Sequence, residues 1–150
     1  MERETVLHAS TVAVAGKGLL ILGASGAGKS ALAIEMLALG AALVADDRTI
    51  VERCDTTLMA RAPGPIRNLL EMRGIGLLTV PSMDQVVVHR AIDLDQIEVA
   101  RLPQTYAIEL LGVQLPLFRR PEGSHLASAL MLCMQHGLCD GSTRDHNPSD

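Results

Sequence analysis

Aromatic side chains are nearly absent from this 150-residue sequence: Tyr106 and Phe118 are the only two, and tryptophan does not occur. Two rings cannot supply the successive stacking platforms that hold single-stranded nucleic acid. A basic excess is also missing. Lysine and arginine total 13 against 17 aspartates and glutamates, a formal charge of −4, so no strongly positive face is available to neutralise a phosphate backbone. No apolar run approaches the roughly 18 residues of a membrane-spanning helix. The opening Met1-Glu2-Arg3-Glu4 carries both signs of charge, with no secretory core behind it. The expectation is a cytoplasmic protein that engages neither nucleic acid nor membrane. Cysteine is sparse: Cys54, Cys133 and Cys139 are odd in number and share no C-x-x-C spacing, which reads as reduced thiols buried as small hydrophobes.

What is present suits one globular domain. Apolar residues make up 48% of the chain, enough for a single core. Residues 1–139 read as that domain, and 140–150, polar with glycine and proline, as a flexible tail. Short β-branched or apolar runs predict strands over Thr5–Val14, Leu19–Leu22, Leu43–Ala45, Ile50–Arg53, Thr57–Arg61, Leu77–Val80, Gln85–Ile92 and Ile108–Leu117. Gly16-Lys17-Gly18 reads as a turn, and Ala62-Pro63-Gly64-Pro65 as a loop. Helical spacing of Leu32, Met36 and Leu39 predicts a helix over Lys29–Leu39, stopped by Gly40. A second helix is predicted over Ser124–Cys139, capped by Ser124, with Leu126, Leu130, Cys133 and Met134 on its apolar side. The fold class is α/β with an additional β-rich part.

Gly23-Ala24-Ser25-Gly26-Ala27-Gly28-Lys29-Ser30 fits G-x-x-x-x-G-K-[ST] in full. Glycines let successive backbone N–H groups turn inward around phosphate oxygens, and the helix that follows adds its positive end. In such a loop Lys29 reaches the β and γ phosphates and the Ser30 hydroxyl ligates Mg²⁺. An apolar strand before the loop and a helix after it are the context this chemistry requires.

A phosphate loop names the ligand, not the reaction. Asp46-Asp47 closes a strand 17 and 18 residues after Lys29. Neighbouring carboxylates on an extended strand point apart, so one can face the metal and the other accept a proton from an attacking hydroxyl. Glu71 and Arg73, two apart and followed by Gly74 and Gly76, suit a loop folded over charged groups, with Glu71 on metal and Arg73 on phosphate. Taken alone, that pair reads better as a surface ion pair before a turn. There is no Asn-Lys-x-Asp guanine motif, no Leu-Ser-Gly-Gly-Gln signature of transporter ATPases and no arginine-rich lid. A small GTPase or motor module is therefore disfavoured.

These residues together resemble the catalytic domain of HPr kinase/phosphorylase. The likeness covers roughly residues 7–136: Leu7-His8, fifteen positions before Gly23, the phosphate loop, Leu43-Val44-Ala45-Asp46-Asp47, and Ile66-Arg67-Asn68-Leu69-Leu70-Glu71-Met72-Arg73-Gly74-Ile75-Gly76. Ala100-Arg101-Leu102 stands where the family has a catalytic arginine. The resemblance implies an HPr kinase/PEP carboxykinase-like fold, a mixed sheet with extra strands and a C-terminal helix. It implies ATP on Gly23–Ser30, with Mg²⁺ held by Ser30 and Glu71. Asp46-Asp47 would supply the base for a serine of an HPr-type phosphocarrier protein, with His8 and Arg101 assisting near the transferring group. In reverse, inorganic phosphate attacking phosphoserine would give pyrophosphate.

Three departures bear on that reading. The chain resembles a short form of the family; Ala31 replaces a common glutamate; and Arg120-Pro121-Glu122-Gly123-Ser124-His125 stands for an Arg-Pro-Gly-Arg-Asn loop tied to dephosphorylation. One arginine is lost there and a carboxylate enters, which disfavours bound phosphate. The expectation is a kinase whose reverse activity is weak or absent. A small-molecule P-loop kinase and a nucleotide-sensing module without turnover remain the alternatives. Self-association is compatible with a mean hydropathy of +0.26.

Overall fold

The computed structural model describes residues 3–65 and 68–139. Met1, Glu2, the Ile66-Arg67 part of the glutamate segment and the expected tail at 140–150 lie outside the described residues. In chain order the elements are β1 (Glu4–Leu7), β2 (Ala9–Val14), β3 (Lys17–Leu22), α1 (Lys29–Ala38), β4 (Ala42–Ala45), β5 (Thr49–Cys54) and β6 (Thr57–Arg61). They continue with β7 (Leu69–Met72), β8 (Gly76–Thr79), β9 (Gln85–Glu98), β10 (Tyr106–Leu110), β11 (Val113–Pro121) and α2 (Leu126–His136).

Nine strands form one mixed sheet in the order β1-β5-β6-β9-β3-β2-β4, with β11 joined to β9 and β10 to β11. The shared strand is β9. It runs antiparallel to β6 through Gln85–Val87, then parallel to β3 through Val88–Asp93 and to β11 through Ala91–Glu98. A separate hairpin, β7–β8, pairs Glu71 with Leu77.

Two-residue periodicity divides the sheet between two cores. Val12, Val14, Leu19, Ile21, Leu43 and Ile92 point to one face and pack with Leu32, Ala33 and Met36 of α1 and Leu130 and Met134 of α2. Ala13, Leu20, Val44 and Ala91 point to the other, against Val51, Leu58, Val86 and Leu115. Such alternation is what a pleated strand dictates. It explains why Leu19–Ile21 tolerates no polar residue: both faces are covered. Each such side chain contributes roughly 1.5–3 kcal/mol by leaving water. No helix of the described residues is long and apolar enough to cross a membrane.

The strand expected over Thr5–Val14 is two strands broken at His8, because the chain pairs with β5 before that residue and with β3 after it. The expected turn at 16–18 is shorter, since Lys17 already pairs with Val14. The strand expected over Ile108–Leu117 is also two, folded back at Leu111-Gly112, where both residues adopt positive φ. Ser124 does not cap α2: the N-cap is His125, without a side-chain cap bond, and the helix stops at His136 rather than Cys139. Of the cysteines only Cys133 is buried; Cys54 is half-buried and Cys139 exposed, and all three are free. Burial pushes the Cys133 thiol up, away from the reactive thiolate.

Candidate active site

The phosphate loop leaves the end of β3 and enters α1. Gly28 occupies the helix N-cap with φ 104°, a left-handed conformation costly to any residue with a Cβ, and no side chain caps the helix. The first N–H groups of α1 are thereby left for an anion. Gly23 is needed for space: a Cβ there would stand 3.0 Å from the Ala27 methyl carbon. Lys29 is only 5% exposed, and its ammonium donates to the carbonyls of Gly23 (2.7 Å) and Ala24 (3.0 Å). Two of its three N–H groups are thus committed to the loop, which anchors the cation beside the helix terminus.

Asp46 and Asp47 follow β4 in a bend, not on the strand. Asp47 takes φ 68°, in the left-handed region that aspartate tolerates better than most residues. The two carboxylates diverge because of this turn, rather than by strand alternation. Asp46 Oδ1 accepts from Ser30 Oγ (2.9 Å) and from Ser10 Oγ (2.9 Å). Asp47 Oδ1 lies 2.7 Å from His8 Nε2. An ionised carboxylate can only accept, so the His8 ring carries a proton on Nε2. The pairing of Leu7 with Thr49 explains the meeting, since it brings the next residue, His8, to the turn that precedes Thr49.

Ser10 sits between the carboxylates. Fully buried in β2, it donates to Asp46 while its oxygen accepts from the Asp47 backbone N–H (3.1 Å). Beneath it, Thr11 and Thr49 share a hydrogen bond of 2.8 Å, and Thr49 also donates to the Ala9 carbonyl (2.9 Å). Three buried hydroxyls therefore tie β2 to both sides of the acidic turn. Sequence reading missed Ser10; the signal was a small hydroxyl residue amid the β-branched and apolar residues of the strand expected over Thr5–Val14.

The remaining expected residues lie apart. Glu71 is exposed on β7 and Arg73 exposed in the turn after it; among the described residues neither forms a hydrogen bond or ion pair with the loop or the acidic pair. Arg101 is exposed in the segment between β9 and β10, again with no such link. Hydrogen bonds join His8, Ser10, Ser30, Asp46 and Asp47, with Lys29 anchored to the loop that leads into Ser30, and among the described residues leave Glu71, Arg73 and Arg101 outside that network. Among the described residues no three acidic, histidine or cysteine side chains gather as a metal-holding group.

Two further contacts on the loop were unforeseen. The Ala24 N–H donates to Asp95 Oδ2 (2.9 Å), and an Arg120 guanidinium N–H donates to the Ala27 carbonyl (3.0 Å).

The chain is 38% identical over 122 residues to the HPr kinase/phosphorylase of Caldicellulosiruptor bescii, covering 73% of this chain and 39% of that protein. It is 32% identical over 127 residues to that of Chloroherpeton thalassium, covering 76% and 37%. The chain thus spans less than two-fifths of the length of these curated relatives. Among solved structures, the Hpr(Ser) kinase/phosphatase from Coxiella burnetii superposes with a TM-score of 0.69 at 23% identity, covering 85% of this chain and 86% of that one. That likeness establishes the fold. A family model described as the HPr Serine kinase C-terminal domain matches residues 1–117. The matched span contains the acidic turn, the phosphate loop and the glutamate hairpin, and on that ground the chain belongs to the HPr serine kinase C-terminal domain family.

Proposed function

We propose that this domain is an ATP-dependent protein-serine kinase whose acceptor is the regulatory serine of an HPr-type phosphocarrier. The observation that carries this reading is the separation of the two aspartates: Asp46 is bonded to the loop serine and Asp47 to His8. A nucleotide site with one carboxylate turned to the phosphates and a second held by an imidazole is equipped for transfer to a hydroxyl.

In this reading Lys29 and the N–H groups at the start of α1 bind the β and γ phosphates. Ser30 Oγ and Asp46 Oδ1, 2.9 Å apart, are hard oxygen donors of the kind Mg²⁺ takes alongside nucleotide phosphates. Glu71, carried on the β7–β8 hairpin, would complete the set, with Arg73 on a phosphate. When bound, Mg²⁺ neutralises charge on the β and γ phosphate oxygens. The acceptor serine oxygen bonds to the γ-phosphorus as the bond to the ADP oxygen breaks. The serine proton passes to Asp47, whose carboxylate His8 keeps oriented through Nε2–H. Arg101 would add positive charge near the transferring group.

The reverse reaction is expected to be weak or lost. It requires inorganic phosphate to be held for attack on phosphoserine, yet Glu122 has entered the loop after β11. Arg120, the arginine retained there, already donates to the Ala27 carbonyl. The output would then be one-way control of a phosphotransferase or carbon-signalling pathway in the cytoplasm, with self-association compatible with it.

The deciding experiment incubates the protein with Mg-ATP and the HPr-type protein of the same organism, and locates new phosphate by mass spectrometry. Phosphoserine that appears with the intact chain and not with Lys29→Ala is the expected result. ATP binding without any phosphoserine would overturn the kinase reading in favour of a nucleotide sensor.

A further inference from the structure

The ladder between β9 and β11 is interrupted in an unusual way. Arg119 pairs with Asp93, yet the next residue, Arg120, pairs with Ile97. One step along β11 therefore passes over Leu94, Asp95 and Gln96 of β9. The excursion is held in shape by its own side chains. The Asp93 carboxylate accepts from the Asp95 backbone N–H (2.9 Å) and from Gln96 Nε2 (3.0 Å), while Leu94 remains buried in the helical core at 3% exposure. A bulge pinned at its start by Asp93 and by Leu94 inside can re-aim the residue between Leu94 and Gln96.

That residue is Asp95, and it is aimed at the phosphate loop. Its Oδ2 accepts the Ala24 N–H at 2.9 Å, and its Oδ1 lies 3.7 Å from where a Cβ on Gly23 would stand. Arg120, the first residue after the interruption, reaches the other end of the loop. Its Nη1 donates to the Ala27 carbonyl at 3.0 Å, and its Nη2 lies 3.2 Å from where a Cβ on Gly28 would stand. Between the two contacts the loop closes its own turn, Ala27 N–H to the Ala24 carbonyl at 3.0 Å.

We propose that Asp95 and Arg120 are positioning residues that clamp the phosphate loop in its binding shape, placed there by the bulge in β9. The clamp acts through Lys29. The carbonyls that hold the ammonium belong to Gly23 and Ala24, the two residues that flank the peptide N–H fixed by Asp95. Freeing that N–H frees both carbonyls and with them the cation. Opposite charges on the two side chains leave the clamp neutral in sum, so it adds no net repulsion toward an incoming polyphosphate.

The test uses the full chain and rests in part on the nucleotide reading above, so it has two independent arms. In the first, amide hydrogen exchange is followed on the ligand-free protein. Asp95→Ala should speed exchange at Ala24 and its loop neighbours while leaving β2 and β3 unchanged; unaltered exchange at Ala24 overturns the clamp whatever the protein binds. In the second, Mg-ATP is titrated calorimetrically. Asp95→Ala should bind about tenfold more weakly, the expected scale for loss of a charge-assisted hydrogen bond. Asp95→Asn, whose amide oxygen still accepts, should recover most of that loss. In phosphoryl transfer the defect should appear in KM for Mg-ATP and not in KM for the acceptor. Equal weakening by Ala and Asn, or wild-type affinity in Asp95→Ala, overturns the proposal. A wild-type chain that binds no Mg-ATP overturns the nucleotide reading, while the exchange arm still decides the clamp.

Discussion

The two halves of the candidate site are built very differently. On one side the phosphate loop, Ser10 and the acidic turn are joined by hydrogen bonds that span the strands β2, β5 and β9, with Lys29 and Ser10 both buried. On the other, Glu71 and Arg73 ride on a two-stranded hairpin outside the main sheet. One fully packed side chain attaches its strands to the core, Leu70 at 5% exposure, whereas Leu69, Ile75 and Leu77 are exposed. Beneath the hairpin, Ile34, Leu37 and Ala38 of α1 face Leu70, Leu78 and Pro81 across an apolar cleft of about 230 Å³. The rigid half fixes charge before any ligand arrives, which is the condition under which electrostatic stabilisation is strongest. The hairpin half has few buried contacts and is suited to moving.

The largest effect should come from the centre of the rigid half. Lys29→Ala removes the buried cation bonded to the loop and should reduce transfer by three orders of magnitude or so, read as kcat/KM for Mg-ATP. Next come the aspartates. Asp47→Asn should lower kcat by about 10²- to 10⁴-fold, the range for loss of a general base, with Mg-ATP affinity little changed. Asp46→Asn should do the reverse, weakening Mg-ATP binding about tenfold, the scale for lost bonds to a charged group. Were both variants to turn over normally, the division of roles along the turn would be wrong.

The contrast between the halves also accounts for what could be read in advance. The phosphate loop, α1 and β4 were legible because their determinants are local: the glycine spacing, the 3.6-residue repeat of Leu32 and Met36, and a short apolar run ended by aspartates. That Asp46 and Asp47 part company was anticipated, but for another reason, since the divergence comes from the left-handed turn at Asp47. His8 meets Asp47 across 39 residues, a contact that exists only because β1 pairs with β5. Asp95 reaches Ala24 across 71 residues through a bulge with no signature in periodicity. Ser10 was hidden by its surroundings, a hydroxyl beside Thr11 in a strand whose β-branched and small residues announce only a strand. The second strand of the hairpin was expected over Leu77–Val80, but the first was read as a loop around Glu71, because Leu69–Met72 is too short to announce a strand beside a proline- and glycine-rich stretch.

Smaller effects should belong to the hairpin half. Glu71→Gln should weaken binding of Mg-ATP more than that of ATP without metal, by up to about tenfold if one carboxylate ligand of several is lost. Isothermal titration with and without Mg²⁺ reads this directly. Equal effects in the two titrations would place Glu71 elsewhere than on the metal.

Leu70→Ala sharpens the comparison most closely, because it alters no charged group. Truncating a buried leucine costs about 2–5 kcal/mol in a tight core, less where the surroundings can collapse onto the site; Leu70 lines the cleft beneath the hairpin, so the lower end of that range is expected in a denaturant melt. The loss should be local. Amide exchange should rise through Leu69–Thr79 and stay unchanged in β2, β3 and the acidic turn, since these lean on one another rather than on Leu70. Phosphoryl transfer should then fall only a few-fold, on the scale of a misplaced but intact ligand set, and the deficit should shrink as Mg²⁺ is raised. If exchange in the acidic turn rose together with that in the hairpin, the two halves would be a single cooperative unit, and the distinction between a preformed half and a mobile one would fail.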